Sequence, residues 1–113
     1  MIDPSSDVAS DAVIPESARV WHLAQVREGA VLGENVIVGR GAYVGTGVRV
    51  GSNSKIQNHA LVYEPADLAN GVFIGPAAVL TNDRLPRAVN PDLSQKVTDE
   101  WDLVGVSIGE GAS

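Results

Sequence analysis

Every sixth residue from Val8 onward is aliphatic: Val8, Ile14, Val20, Val26, Leu32, Val38, Val44, Val50, Ile56, Val62, Leu68, Ile74 and Leu80. The position four residues after each is small in nearly every case, as at Ala12, Ala18, Ala24, Ala30, Ala42, Ser54, Ala60 and Ala78. Glycine often follows the aliphatic residue directly, at Gly33, Gly39, Gly45, Gly51 and Gly75. A helix repeats its apolar face about every 3.6 residues and a half-buried strand about every 2, so neither keeps a strict six. A coil with three flat sides does. Each side takes one hexad: a short strand with its aliphatic residue turned inward, then a corner with room for only a small side chain. Three hexads close one turn, and successive turns stack about 4.8 Å apart. Residues eighteen apart therefore lie over one another, in ladders such as Val20–Val38–Ile56–Ile74 and Val26–Val44–Val62–Leu80. A sandwich of alternating strands would not hold one phase over so many positions. The fold class expected is all-β, a parallel β-helix.

After Leu80 the period fails. Residues 81–105 carry two prolines, clusters of Asp and Asn, and most of the late charges, which is the composition of a loop. The pattern restarts at Ile108-Gly109 with Ala112 at the expected offset; Ile108 is 28 residues beyond Leu80, not a multiple of six. The expected organisation is one domain over 1–113, with coils at about 8–80, an inserted loop at 81–105 and a restart at 106–113. Loops this long inside a compact repeat are uncommon unless functional or disordered, and solenoid insertions gather on the binding face. The chain stops soon after the restart and leaves open strand edges, so it reads as truncated at its C-terminal side.

Composition sharpens this picture in three ways. Aromatic residues make up 4% of the chain, so its core must be built from Val, Ile, Leu and Ala. A formal charge of −6 argues against a general nucleic-acid binder, which needs a basic face for phosphates. With no cysteine, disulfides and thiolate metal sites are excluded. No apolar run is long enough to span a bilayer and MIDPSSDV is not a signal peptide, so a bacterial cytoplasm is the expected compartment.

The ladder arithmetic also names neighbours for chemistry. Asn82 falls one coil above Glu64 and two above Thr46, and Thr81 falls above Tyr63. Asn82, Glu64, Tyr63, Asp83 and Arg84 should therefore meet where the loop leaves the coil. An amide, two carboxylates, a phenol and a cation suit a hydroxylated, charged ligand. Asn and Asp also shape turns, and that plainer role stands beside the functional one. On another side His22, Arg40, Asn58 and Pro76 share a column, with His59 next to Asn58 and Lys55 on the adjoining strand. These form either a polar wall with an available imidazole or a solvated outer face. Two histidines 37 residues apart do not supply the three imidazoles of a histidine-ligated zinc site, so no metal is expected.

The segments RVWHLAQVREGAVLG (19–33), VGRGAYVG (38–45), KIQNHALVYE (55–64), GVFIGPAAVLTNDRLPRA (71–88) and WDLV (101–104) resemble UDP-2-acetamido-3-amino-2,3-dideoxy-glucuronate N-acetyltransferases. These are hexapeptide-repeat enzymes whose relatives acetylate other nucleotide-linked amino sugars. The resemblance implies a left-handed winding, which the period alone does not fix, since parallel crossovers are normally right-handed. It also implies a homotrimer with sites between subunits, acetyl-CoA as co-substrate, a nucleotide-sugar acceptor and a role in surface polysaccharide synthesis. Asn82 is then the residue at the reacting amine. Glu64, Tyr63, Asp83, Arg84 and Arg87 would bind the sugar, with Asn58, His59 and Lys55 contributed by a neighbouring subunit. Members of that family continue for several coils past the loop, where much of the CoA groove lies. The expectation is therefore a sugar site present and a donor site incomplete. Two other readings are a non-catalytic β-helix module that serves oligomerisation, and a hexapeptide transferase with a different acceptor.

Overall fold

Two inward residues per hexad, one aliphatic and one small, leave little length for a strand before the next bend. The computed structural model describes residues 1–97, 99 and 102–113. Among them it shows thirteen two-residue strands: β1 (Asp7–Val8), β2 (Arg19–Val20), β3 (Gln25–Val26), β4 (Val31–Leu32), β5 (Ile37–Val38), β6 (Tyr43–Val44), β7 (Arg49–Val50), β8 (Lys55–Ile56), β9 (Leu61–Val62), β10 (Asp67–Leu68), β11 (Phe73–Ile74), β12 (Val79–Leu80) and β13 (Ser107–Ile108). They stack into three parallel sheets, ordered β2-β5-β8-β11, β1-β3-β6-β9-β12 and β4-β7-β10-β13. Parallel strands need a crossover between them. Here the rest of each coil supplies it, and the architecture is the expected left-handed parallel β-helix.

Register follows the period of eighteen. Val20 pairs with Val38, Val38 with Ile56 and Ile56 with Ile74. An isolated bridge between Ile2 and Val20 adds one more rung, in phase with Val8. The inner columns of Val, Ile, Leu and Ala are almost wholly buried and form one continuous core. Each fully buried Val, Leu or Ile contributes about 1.5–3 kcal/mol, which offsets the scarcity of large rings.

The two glycine positions have different causes. The residue three places after each aliphatic takes a left-handed φ, as at Gly29, Gly41, Gly47 and Gly71, with Asn35, Asn53, Leu23, His59 and Ala77 doing the same without glycine's freedom. The glycine directly after the aliphatic residue has an ordinary φ and is there for space. A Cβ on Gly51 would lie 2.4 Å from the Ala69 carbonyl carbon, and one on Gly33 2.6 Å from the Ser52 nitrogen. The corner of the next coil lies directly on it. The expectation that these following glycines serve unusual dihedrals is thereby corrected.

The polypeptide leaves the stack after β12 and returns at β13 with Leu68 paired to Ile108. Those partners are 40 residues apart where other rungs are 18 apart, so the excursion adds 22 residues without disturbing the phase. No helix among the described residues is long and apolar enough to cross a membrane.

Candidate active site

Each corner exposes backbone N–H groups that no strand partner satisfies, and side chains of the next coil cap several of them. Arg40 N–H donates to Asn58 Oδ1 at 2.9 Å, Ser52 N–H to Asn70 Oδ1 at 2.8 Å and Glu34 N–H to Ser52 Oγ at 3.1 Å. Thr46 N–H donates to Glu64 Oε2 at 3.2 Å. Asn58 is thus engaged in holding its own coil. Glu64 differs from the other caps because it is longer than capping requires. Its carboxylate lies flat over Gly45, where a Cβ would come within 2.7 Å of Oε1. It also accepts a hydrogen bond from the Tyr43 phenol, shared between Oε1 at 3.2 Å and Oε2 at 3.3 Å. The Tyr43 and Tyr63 rings stand 5.2 Å apart, tilted by 48°. Burial raises the Tyr43 pKa above 10.0, and the Glu64 charge and hydrogen bond raise it further. The phenol therefore stays a donor at neutral pH.

Above Glu64 comes Asn82, as the ladder predicts. Its Nδ2 donates to the Glu64 carbonyl at 2.5 Å. The Asn82 carbonyl accepts from Val104 N–H at 3.1 Å, so the outgoing and returning ends of the loop are joined at this residue. Beside them Gly105 rests on Pro65, so closely that a Cβ would fall 1.3 Å from the Pro65 oxygen. The Glu64–Pro65 peptide, which is cis, is the seat of the loop.

Beyond this seat the loop has order of its own. Val89 and Gln95 form an antiparallel bridge, Lys96 N–H bonds the Ala88 carbonyl at 2.9 Å, and Asp92 caps the turn through Ser94 N–H at 3.0 Å. Between this arm and the coil is an open cavity of about 460 Å³, lined by Asp83, Arg84, Leu85, Lys96, Asp99 and Asp102 among others. Asp83 Oδ1 also accepts from Leu85 N–H at 3.1 Å, so its turn-shaping role is realised too.

The structure therefore brings Tyr63, Glu64, Asn82, Asp83 and Arg84 to one corner and the loop rooted on it. Arg87 turns away and donates to its neighbour's carbonyl, Pro86 O, at 2.8 Å. Lys55, Asn58 and His59 belong to β8 and the corner before β9, on a different edge of the prism from Glu64 and Asn82. His59 is exposed, has a φ of 62° and lies over Gly41. Of the WDLV segment, Trp101 lies outside the described residues. Sequence reasoning missed Tyr43 and Lys96 as site residues. For Tyr43 a signal existed: it is an outward residue on the strand leading into the Thr46 corner.

Residues 29–64 match the family described as bacterial transferase hexapeptide (six repeats). The matched stretch runs from β4 to the corner that ends at Glu64, so it includes Tyr43 and stops before Asn82 and the loop. No curated protein matches the sequence.

Proposed function

We propose that the chain is an acetyl-CoA-dependent N-acetyltransferase acting on the amino group of a nucleotide-linked amino sugar. The observation that carries this reading is the stacking of Asn82 on Glu64 at the root of an inserted loop, on a repeat that matches a transferase family. Resemblance to the 3-amino-glucuronate N-acetyltransferases supplies the acceptor class. In the reaction the sugar nitrogen attacks the thioester carbonyl, a C–N bond forms and the C–S bond breaks. The departing thiolate takes the proton that the amine loses, so no strong base is required. What the protein must supply is proximity and orientation. Asn82 sits where its carboxamide oxygen is free to accept an N–H of the amine, because its Nδ2 is engaged by Glu64 O. Arg84, with Lys96 across the same cavity, suits the anionic part of the substrate, a carboxylate or diphosphate. Arg87 keeps a peripheral place in that role. In a homotrimer, Lys55, Asn58 and His59 of a neighbouring subunit would approach from the opposite wall.

The test is thiol release from acetyl-CoA across a panel of UDP- and dTDP-linked 3-amino sugars. Turnover with one of them, lowered about a hundredfold or more by Asn82→Ala, is the expected result. Acceptance of hydroxyl acceptors only, with amino sugars inert, would refute it.

A further inference from the structure

Tyr43 has no assigned role, yet it makes the contact that fixes the most unusual group at the corner. Capping the Thr46 N–H does not require a glutamate: Asn58, Asn70 and Ser52 perform the same task elsewhere with short neutral side chains. A glutamate at this place adds a charge and three rotatable bonds, whose freedom opposes any single geometry. Tyr43 removes that freedom, since its phenol bonds both carboxylate oxygens while Thr46 N–H holds Oε2 from below. Among the described residues no Lys, Arg or His forms an ion pair with Glu64; Arg27, the nearest basic side chain along this column, is paired to Glu28 at 2.9 Å. The carboxylate is thus oriented, half-buried and without a cation, with acceptor capacity left beyond the two donors that pin it. Directly above is Asn82.

We infer that Tyr43 is a positioning residue, holding Glu64 so that its carboxylate accepts an N–H from the acceptor amine and aims the nitrogen lone pair at the thioester. This rests on the proposed function and deepens it. With Glu64 and Asn82 each accepting one N–H, the nitrogen keeps its lone pair free for attack. Tyr43 touches no substrate; it acts through Glu64.

The experiment is a double-mutant cycle on kcat with the amino sugar that the wild type acetylates best. Tyr43→Phe should lower kcat about tenfold and leave KM for acetyl-CoA unchanged, because misorientation acts on the transition state. In a Glu64→Ala background the same change should alter kcat by no more than about twofold. An equal loss in both backgrounds would overturn the inference, since a merely structural role does not depend on Glu64. A second measurement needs no turnover. The chain has two tyrosines, so Tyr63→Phe leaves Tyr43 as the sole phenol for an ultraviolet titration. Adding Glu64→Gln should move its midpoint down toward the ordinary range, because the carboxylate helps hold it up. An unmoved midpoint overturns the contact itself. If the wild type acetylates no amino sugar, the proposed function fails while the phenol still decides the contact.

Discussion

Ser54 tests whether the corner hydrogen bonds are understood. It is the one buried polar side chain among columns of Val and Ala, with no exposure to solvent. At most corners the last residue closes the bend by donating its N–H to the carbonyl three residues earlier, as Ala24 does to Trp21 at 3.2 Å and Ala60 to Gln57 at 3.2 Å. At the corner from Ala69 to Val72 the Ser54 hydroxyl stands between the two groups. It accepts from Val72 N–H at 3.0 Å and donates to the Ala69 carbonyl at 3.1 Å. Replacing it with Ala removes both bonds at once. Were nothing to move, a buried N–H and a buried C=O would each lose a partner, at about 1–3 kcal/mol apiece. The corner has another option, however. It can tighten into the direct bond used elsewhere, which recovers one partnership for each group and reduces the loss to about 1–2 kcal/mol. Ser54→Ala is therefore expected to cost about 1–2 kcal/mol by urea unfolding, or roughly 4–10 °C in Tm for a domain of this size. Ser54→Val fills the space the corner would close into, and is expected to cost about 2–4 kcal/mol despite its better match to Val36 and Val72. Hydrogen exchange at the Val72 amide localises the effect. An unchanged unfolding midpoint and unchanged Val72 exchange in Ser54→Ala would refute the bridging role.

Other perturbations follow from the same geometry. Gly105→Ala drives a Cβ into the Pro65 carbonyl, so the loop should unseat while the coils stay folded; limited proteolysis within 84–97 should become much faster than in the wild type, with the far-ultraviolet spectrum unchanged. Leu32→Ala, in the middle of a buried column, should cost about 2–5 kcal/mol by chemical denaturation, against about 0.5–1.5 kcal/mol for Ile56→Val. At the N-terminal edge, hydrogen bonds from Ser5 hold the Asp3 carboxyl below its usual 3.8, and Ser5 Oγ in turn accepts from Leu23 N–H at 3.0 Å. A depressed carboxyl pKa stabilises the fold above the unfolded value and loses that effect as pH falls through the folded one. Leu23 amide exchange, corrected for its intrinsic pH dependence, should thus rise below about pH 4 in the wild type and lose that step in Asp3→Ala.

The inward half of this structure was readable in the chain because a solenoid makes one dimension of contact explicit. Once the period is six and the turn eighteen, Val20 over Val38 and Asn82 over Glu64 are arithmetic. Side-chain reach is not. Nothing in the phase says that Glu64 bends down across Gly45 to meet Tyr43, 21 residues earlier, while Arg87 curls onto its own neighbour. Those outcomes depend on the length of a glutamate and the missing Cβ of one glycine. The same holds for the cavity beside the loop, whose walls are set by short-range turns around Asp83 and Asp92 with no period to announce them.

That division has a functional consequence. The 22 inserted residues leave at Leu80 and return at Ser107 in perfect register, so the core is indifferent to what they contain. All that ties the loop to the coil at its root is backbone geometry: the Asn82 carbonyl with Val104, and Gly105 on Pro65. Side chains such as Arg84 and Lys96 can then change without any cost to stacking, whereas Glu64 cannot change without releasing a corner N–H. Acceptor preference is expected to follow the loop and the orientation of the amine to follow the coil. Exchanging residues 84–96 for a loop of different charge should alter which sugar is used and leave the Tyr43–Glu64 coupling in kcat as it was; loss of that coupling would show that loop and coil do not act separately.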